Sequence, residues 1–275
     1  MRIPRLALMA GALASVLFAG TAHAATVSAP AYKPVLAKNP IYKTGKLGYD
    51  TCDEPKVERG TLEEIKNHFE VVLDCLNEAW EPVVKKAGFT FSKPSVQVIT
   101  KPGAQTGCGP HPGPQGFSYA QAMYCPTNKK ITFLATANLV EEKNDLALMA
   151  NLAHEYSHHI QQLTGMIDAL TPYSRKNQAK FLDERRRLEL QAECLAGVFI
   201  GSVWHSLHRQ ETDFTYLVKN SGTGHGLSVI GVGGKTSGEQ THGSSTNPGR
   251  WLKRGYDTES AGGCNTWKAP KSQVS

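Results

Sequence analysis

Between residues 151 and 165 the chain reads NLAHEYSHHIQQLTG, and three of these side chains could do metal chemistry together. His154 and His158 are four positions apart, so on a helix their imidazoles leave one face a turn apart and can share a cation. Glu155 lies about 100° further round, where its carboxylate reaches a water on that cation without being forced into the ligand set. This is the His-Glu-x-x-His arrangement of zinc proteases, in which the glutamate is the general base. His159 is also offset by about 100° from His158 and cannot join the same cation, which gives it a supporting or solvent-facing place.

A catalytic zinc takes three protein ligands and keeps one position open. The metzincin solution requires glycine at position 161 and histidine at 164; the chain has Gln161 and Thr164, which excludes it. The alternative is a glutamate from a following helix. In ELQAE, Glu189 and Glu193 are one turn apart on one face. Glu189 is the expected third ligand of a single Zn2+ per chain, and Glu193 the expected acceptor of a ligand histidine's N–H. Ala192, Ala196 and Gly197 are expected to let the two helices pack closely. Cys194 turns to another face and suits a disulfide better than a thiolate ligand. For a second donor to the developing oxyanion the candidate is His242 in THGSS, with Tyr256 and His225 as alternatives.

The elements that must hold these residues are readable in part. The His-Glu-x-x-His helix should begin at Asn144 or Asp145 and end at Gly165, with Leu148, Met149, Leu152, Tyr156, Ile160 and Leu163 against a core. A second long helix is expected from about Asn177 to His208. Thr61, three residues before Glu64, has the spacing of a capping box, and apolar residues from Leu62 to Val83 recur at helical period. Pro82 should bend that helix's last turn and Gly88 should stop it. SVQVIT and KITFLAT alternate with period two and read as strands. The strand from Ile131 to Ala135 is a candidate edge for pairing with an extended substrate. Between the two strands, CGPHPGPQGFSYAQAMYC excludes helix or central strand; a Cys108–Cys125 bridge would staple it, and His111 reads as a surface turn residue. Residues 221 to 249 hold nine glycines and read as a long loop.

The first 24 residues combine Arg2 and Arg5, an apolar run from Leu6 to Gly20 and small residues at Ala22 and Ala24, the pattern of a cleavable signal peptide. The run is shorter than the roughly 20 unbroken apolar residues of a membrane anchor. A formal charge of +6, reduced to +4 by loss of Arg2 and Arg5, is too mild to argue for nucleic acid or a membrane surface. Six cysteines in an exported chain, none spaced Cys-x-x-Cys, point to three disulfides among 15 possible pairings.

HEYSHHIQ, ELQAECLAGV and HGSSTNPGRWLKRGY followed by CNTW resemble, in order, the motifs of the bacterial putative neutral zinc metallopeptidase family. NPIYKTGKL, CLNEAW and MYCPTNKKITFL are similar to its exported actinobacterial members, so the likeness covers residues 39 to 267. The chain departs from the family pattern at Ser157, where glycine is usual, at Glu193, where aspartate is usual, and at TNPGR, where Gln-Arg is usual.

The resemblance implies an α+β fold: a zincin-like metallopeptidase domain with an active-site helix, a third-ligand helix and a small β-sheet. It implies His154, His158 and a helix glutamate on zinc, Glu155 as catalytic base, and the pairs Cys108–Cys125, Cys194–Cys264 and Cys52–Cys75. The expected organisation is a signal peptide over 1–24, an extended lead-in over 25–44, the catalytic domain over 45–267 and a tail over 268–275. The expected function is that of a secreted zinc metallopeptidase, with peptides or proteins as substrates and neither nucleic acid nor a membrane anchor as a partner. The competing readings are a catalytically inactive zinc-binding module that binds a protein partner, and a disulfide-stabilised surface protein whose histidines bind nothing.

Overall fold

The computed structural model describes residues 32–111, 122–135, 145–221 and 246–275. The signal peptide, His242 and His225 lie outside these residues, as do residues 25–31 of the expected lead-in, 112–121 of the loop between the strands, Asn144 and 222–245 of the glycine-rich stretch. Six helices and a three-stranded sheet are found among the described residues, a mixed α+β arrangement. The helices are α1 (Pro34–Ala37), α2 (Leu62–Lys86), α3 (Asp145–Leu163), α4 (Gln178–Val203), α5 (Glu211–Asn220) and α6 (Asn247–Thr258). The strands are β1 (Ser95–Ile99), β2 (Ala122–Cys125) and β3 (Lys130–Leu134).

Local chemistry sets the helix ends. Thr61 and Glu64 form the reciprocal capping box at the start of α2, and Gly88 beyond its end adopts φ +87°. Pro82 is accommodated inside α2. Gly165 closes the turn after α3 at φ +73°. α4 ends at Val203, earlier than His208, because residues 204–207 tighten into a 3-10 turn and His208 takes a left-handed conformation at φ +52°.

β1 and β3 pair in parallel, Val96 opposite Ile131 and Val98 opposite Phe133, while β2 runs antiparallel to β3 with Tyr124 opposite Ile131. β3 is therefore the central strand, and the expectation that it offers a free edge is wrong: β1 and β2 occupy both its sides. The strand overlooked was β2, four residues free of Gly and Pro at the end of a stretch rich in both. Phe69 of α2 stacks on Phe133 of β3, with ring centroids 4.2 Å apart, and joins helix to sheet.

Three further expectations need correction. Residues 32–44 are not extended: Pro34 and Pro40 open short helical turns, since a proline at the first helical position loses no backbone bond. Asn39 then donates to the carbonyl of Thr164 at 3.0 Å, tying the segment to the end of α3. His111 is buried, not on the surface; its backbone pairs with Gly103 and Ala104, and burial lowers its pKa. The glycine-rich reading ran too far, because Asn247, Pro248 and Gly249 already belong to α6.

α6 is also where Gly197 is used. The space a Cβ would need there is taken by the carbonyl oxygen of Leu252 in α6, not by α3 as expected. Gly201 faces the Tyr256 backbone and Gly255 faces the carbonyl oxygen of Cys194, so α4 and α6 touch backbone to backbone. With α3 on one side and α6 on another, every residue from 187 to 200 in α4 is buried. The last residues are docked too: Trp251 donates to the carbonyl of Gln273 at 2.8 Å, and Val274 is buried. The three disulfides are Cys52–Cys75, Cys108–Cys125 and Cys194–Cys264, the pairs the resemblance implied.

Candidate metal centre

α3 and α4, joined by residues 164–177, bring together side chains 31 or more positions apart. Nε2 of His154 lies 3.4 Å from Oε2 of Glu189, and Nε2 of His158 lies 3.3 Å from the same oxygen. One donor atom from each of the three residues fits within 4.8 Å of the others. Bonds of about 2.0–2.1 Å in a tetrahedron put neighbouring donors about 3.3 Å apart, so the spacing fits a zinc-sized ion. All three residues are buried, and neither imidazole Nε2 makes a hydrogen bond. Two bare imidazole nitrogens facing a carboxylate are a donor set for a borderline-soft divalent cation.

The opposite nitrogens of the two rings are held differently. Nδ1 of His154 lies 3.4 Å from Oε1 of Glu193. Burial opposes a charge on His154, but Glu193 and Glu189 outweigh it and raise its pKa to about 10 in the metal-free protein. Nδ1 of His158 instead lies 2.8 Å from Oε1 of Gln161, a neutral partner.

Glu155 is wholly buried on the neighbouring face of α3, beside the Tyr124 backbone of β2. Burial raises its pKa above the usual carboxylate range; His158 and His154 pull it down, Glu189 pushes it up, and the Tyr124 backbone pulls it down. A carboxylate raised in this way is suited to pick up and release a proton.

His159 is buried rather than solvent-facing. Its Nε2 donates to the carbonyl of Ser92 at 2.6 Å, and Nδ1 accepts from the hydroxyl of Tyr124 at 3.0 Å. Burial drives its pKa down to about 4, so the ring is a neutral tie between α3, β2 and the residues before β1. Tyr256 is committed elsewhere. It stacks on Phe214 with ring centroids 3.9 Å apart, and its backbone meets both Gly197 and Gly201 of α4, eight and twelve residues from Glu189.

Sequence reasoning missed Gln161, Gln191 and Arg185. Gln161 was legible as the residue three after His158, on the same face. Gln191 pairs with it across the two helices at 3.0 Å. Arg185, one turn before Glu189, lies over the Phe181 ring at 5.2 Å; burial lowers its pKa while Glu189 and Glu184 raise it.

Residues 50–267 match the family described as putative neutral zinc metallopeptidase. The chain belongs to that family. Membership implies zinc, peptide substrates and hydrolysis of peptide bonds at the level of class. The chain is 29% identical to the uncharacterized protein YpfJ of Escherichia coli (strain K12) over 209 residues, covering 72% of this chain and 69% of YpfJ. It is 27% identical to the uncharacterized protein Rv2575 of Mycobacterium tuberculosis (strain ATCC 25618 / H37Rv) over 216 residues, covering 71% of this chain and 68% of the relative. No solved structure matches the chain.

Proposed function

We propose that the protein is a secreted, zincin-like peptidase that binds one zinc through His154, His158 and Glu189 and uses Glu155 as general base. The observation that carries this reading is the convergence of two bare imidazole nitrogens on Glu189 at 3.3 and 3.4 Å, with the Glu155 carboxyl buried alongside. A glutamate from a second helix as third ligand makes the site gluzincin-like.

Zinc at such a site supplies a Lewis acid that polarises a carbonyl and makes water easier to deprotonate. Glu155 then takes the proton of the attacking water, shielded from bulk solvent, and returns it to the amine leaving group. Its raised pKa favours holding that proton between the two transfers. β2 runs beside Glu155, and among the described residues it pairs with β3 alone, so its outer side suits an extended peptide. His242, five residues before Asn247 in sequence, is the candidate donor to the developing oxyanion; His242→Ala should lower turnover with zinc retained, and unchanged turnover would remove it.

Export rests on the signal-peptide pattern of residues 1–24 and on three disulfides, which persist in oxidising compartments. No described helix is long and apolar enough to cross a membrane. In this reading residues 45–267 carry the catalysis, with 25–44 and 268–275 as flanking segments.

The deciding experiment is elemental mass spectrometry of the folded mature chain after long dialysis without chelator. About one zinc per chain is expected, together with cleavage of a denatured protein substrate. No zinc, and none taken up when supplied, would overturn the reading. Tightly bound zinc without cleavage of any peptide would favour a binding module instead.

A further inference from the structure

Behind His158 the two helices share a buried chain of side-chain amides. Gln161 Oε1 faces His158 Nδ1 at 2.8 Å, and Gln161 Nε2 donates to the carbonyl of Leu188 at 2.9 Å and to Oε1 of Gln191 at 3.0 Å. Gln191 Nε2 in turn donates to the hydroxyl oxygen of Tyr42 at 2.7 Å and to the carbonyl of Cys264 at 3.1 Å. Both glutamines are fully buried.

The direction of this chain is fixed at its ends. A backbone carbonyl can only accept, so Cys264 requires the Gln191 amide nitrogen on its side, and Leu188 requires the Gln161 nitrogen on its side. Reversing either amide would set oxygen against oxygen in a buried place. Gln161 therefore presents Oε1 to His158, and an oxygen there demands a proton on Nδ1. Nε2 of His158 is left with its lone pair, aimed at Glu189.

We infer that Gln161, oriented by Gln191, is the positioning residue that holds His158 in the Nδ1–H tautomer and so makes Nε2 the metal donor. The inference rests on the zinc reading proposed above. It assigns the two ligand histidines different backing: His154 has a carboxylate and His158 a neutral amide. The amide fixes orientation and tautomer without adding a negative charge behind His158. Its far end is the disulfide-bonded Cys264 and Tyr42, so a bridge and a segment outside the two helices hold the ligand's orientation.

The test uses the full mature chain loaded with Co2+, in which imidazole N–H protons of metal-bound histidines give paramagnetically shifted, exchangeable proton resonances. Two such resonances that exchange slowly with solvent are expected, one from each histidine. In Gln161→Met the His158 resonance should broaden by exchange while that of His154 stays sharp, and Zn2+ affinity measured by chelator competition should fall about 10- to 100-fold. Gln191→Met leaves the direct contact to His158 in place and should produce the same selective broadening to a smaller extent. It serves as the second variant if Gln161→Met does not fold.

Wild-type protein that takes up neither Co2+ nor Zn2+ would overturn the zinc reading and this inference with it. Wild-type protein that binds both, with either variant keeping full Zn2+ affinity and two slow resonances, would overturn the amide chain alone.

Discussion

Oε1 of Glu193 lies 3.4 Å from Nδ1 of His154, on the side of the ring turned away from the metal centre. Carboxylates placed behind ligand histidines fix the ring and raise its basicity. Glu193→Ala should weaken zinc binding about 10- to 100-fold, while Glu193→Gln, which keeps an acceptor at the same reach, should lose less. Competition with a chromophoric chelator ranks the three proteins, and equal affinities would show that the carboxylate does not support His154.

Glu155→Gln preserves the size of the side chain and removes its capacity to take a proton. The variant should bind zinc as tightly as the parent and lose hydrolysis by at least about 100-fold. Zinc content and cleavage rate on the same preparation check this, and substantial residual activity would exclude Glu155 as the base.

If zinc binds the folded site as proposed, and not the dispersed ligands, its removal should lower stability. With free zinc about 1,000-fold above the dissociation constant the difference is about 4 kcal/mol. For a chain of this size that corresponds to a fall in Tm on the order of 10 °C on chelation. Glu189→Ala should abolish the chelator's effect, a comparison made by differential scanning calorimetry.

Gly255 has no room for a side chain, because the carbonyl oxygen of Cys194 occupies the place of its Cβ. Gly255→Ala must push α6 off α4, at a cost of about 3 kcal/mol or more. Urea unfolding should show the lowered midpoint, whereas Gly88→Ala, with open space around it, should cost only the strain of its φ of +87°.

Cys194 and Cys264 close a loop of 70 residues. Replacing both with alanine should destabilise the chain by about 2–5 kcal/mol. Since the Cys264 carbonyl anchors Gln191, the same variant should hold zinc less tightly under conditions where it remains folded. Parallel measurement of unfolding and zinc affinity distinguishes this from a purely global effect.

The parts of the site nearest in sequence were the most legible. The spacing of His154, Glu155 and His158 on a helix with an apolar face determines which side chains can meet, and the i, i+4 spacing of Glu189 and Glu193 does the same on α4. Helix packing then determines whether those faces oppose each other, and that depends on contacts no local pattern records. The same limit explains the errors. The start of α6 was hidden because Gly249 was counted into the glycine-rich loop, whereas it serves close approach to the Val218 backbone, although Pro248 marked the helix start. β2 is too short to show alternation, and without it β3 passed for an edge. His159 carries a polar ring into a buried place because a backbone carbonyl and a tyrosine hydroxyl meet it there, and no composition argument supplies those partners.

The stretch from 187 to 200 has no face turned to water, since α3 packs against one side and α6 lies against its bare glycines on another. In a saturation mutagenesis screen these fourteen consecutive positions should stand out as a block with almost no tolerated replacements. Attempts to retune specificity by directed evolution should therefore leave this stretch fixed and draw their diversity from the loops around it.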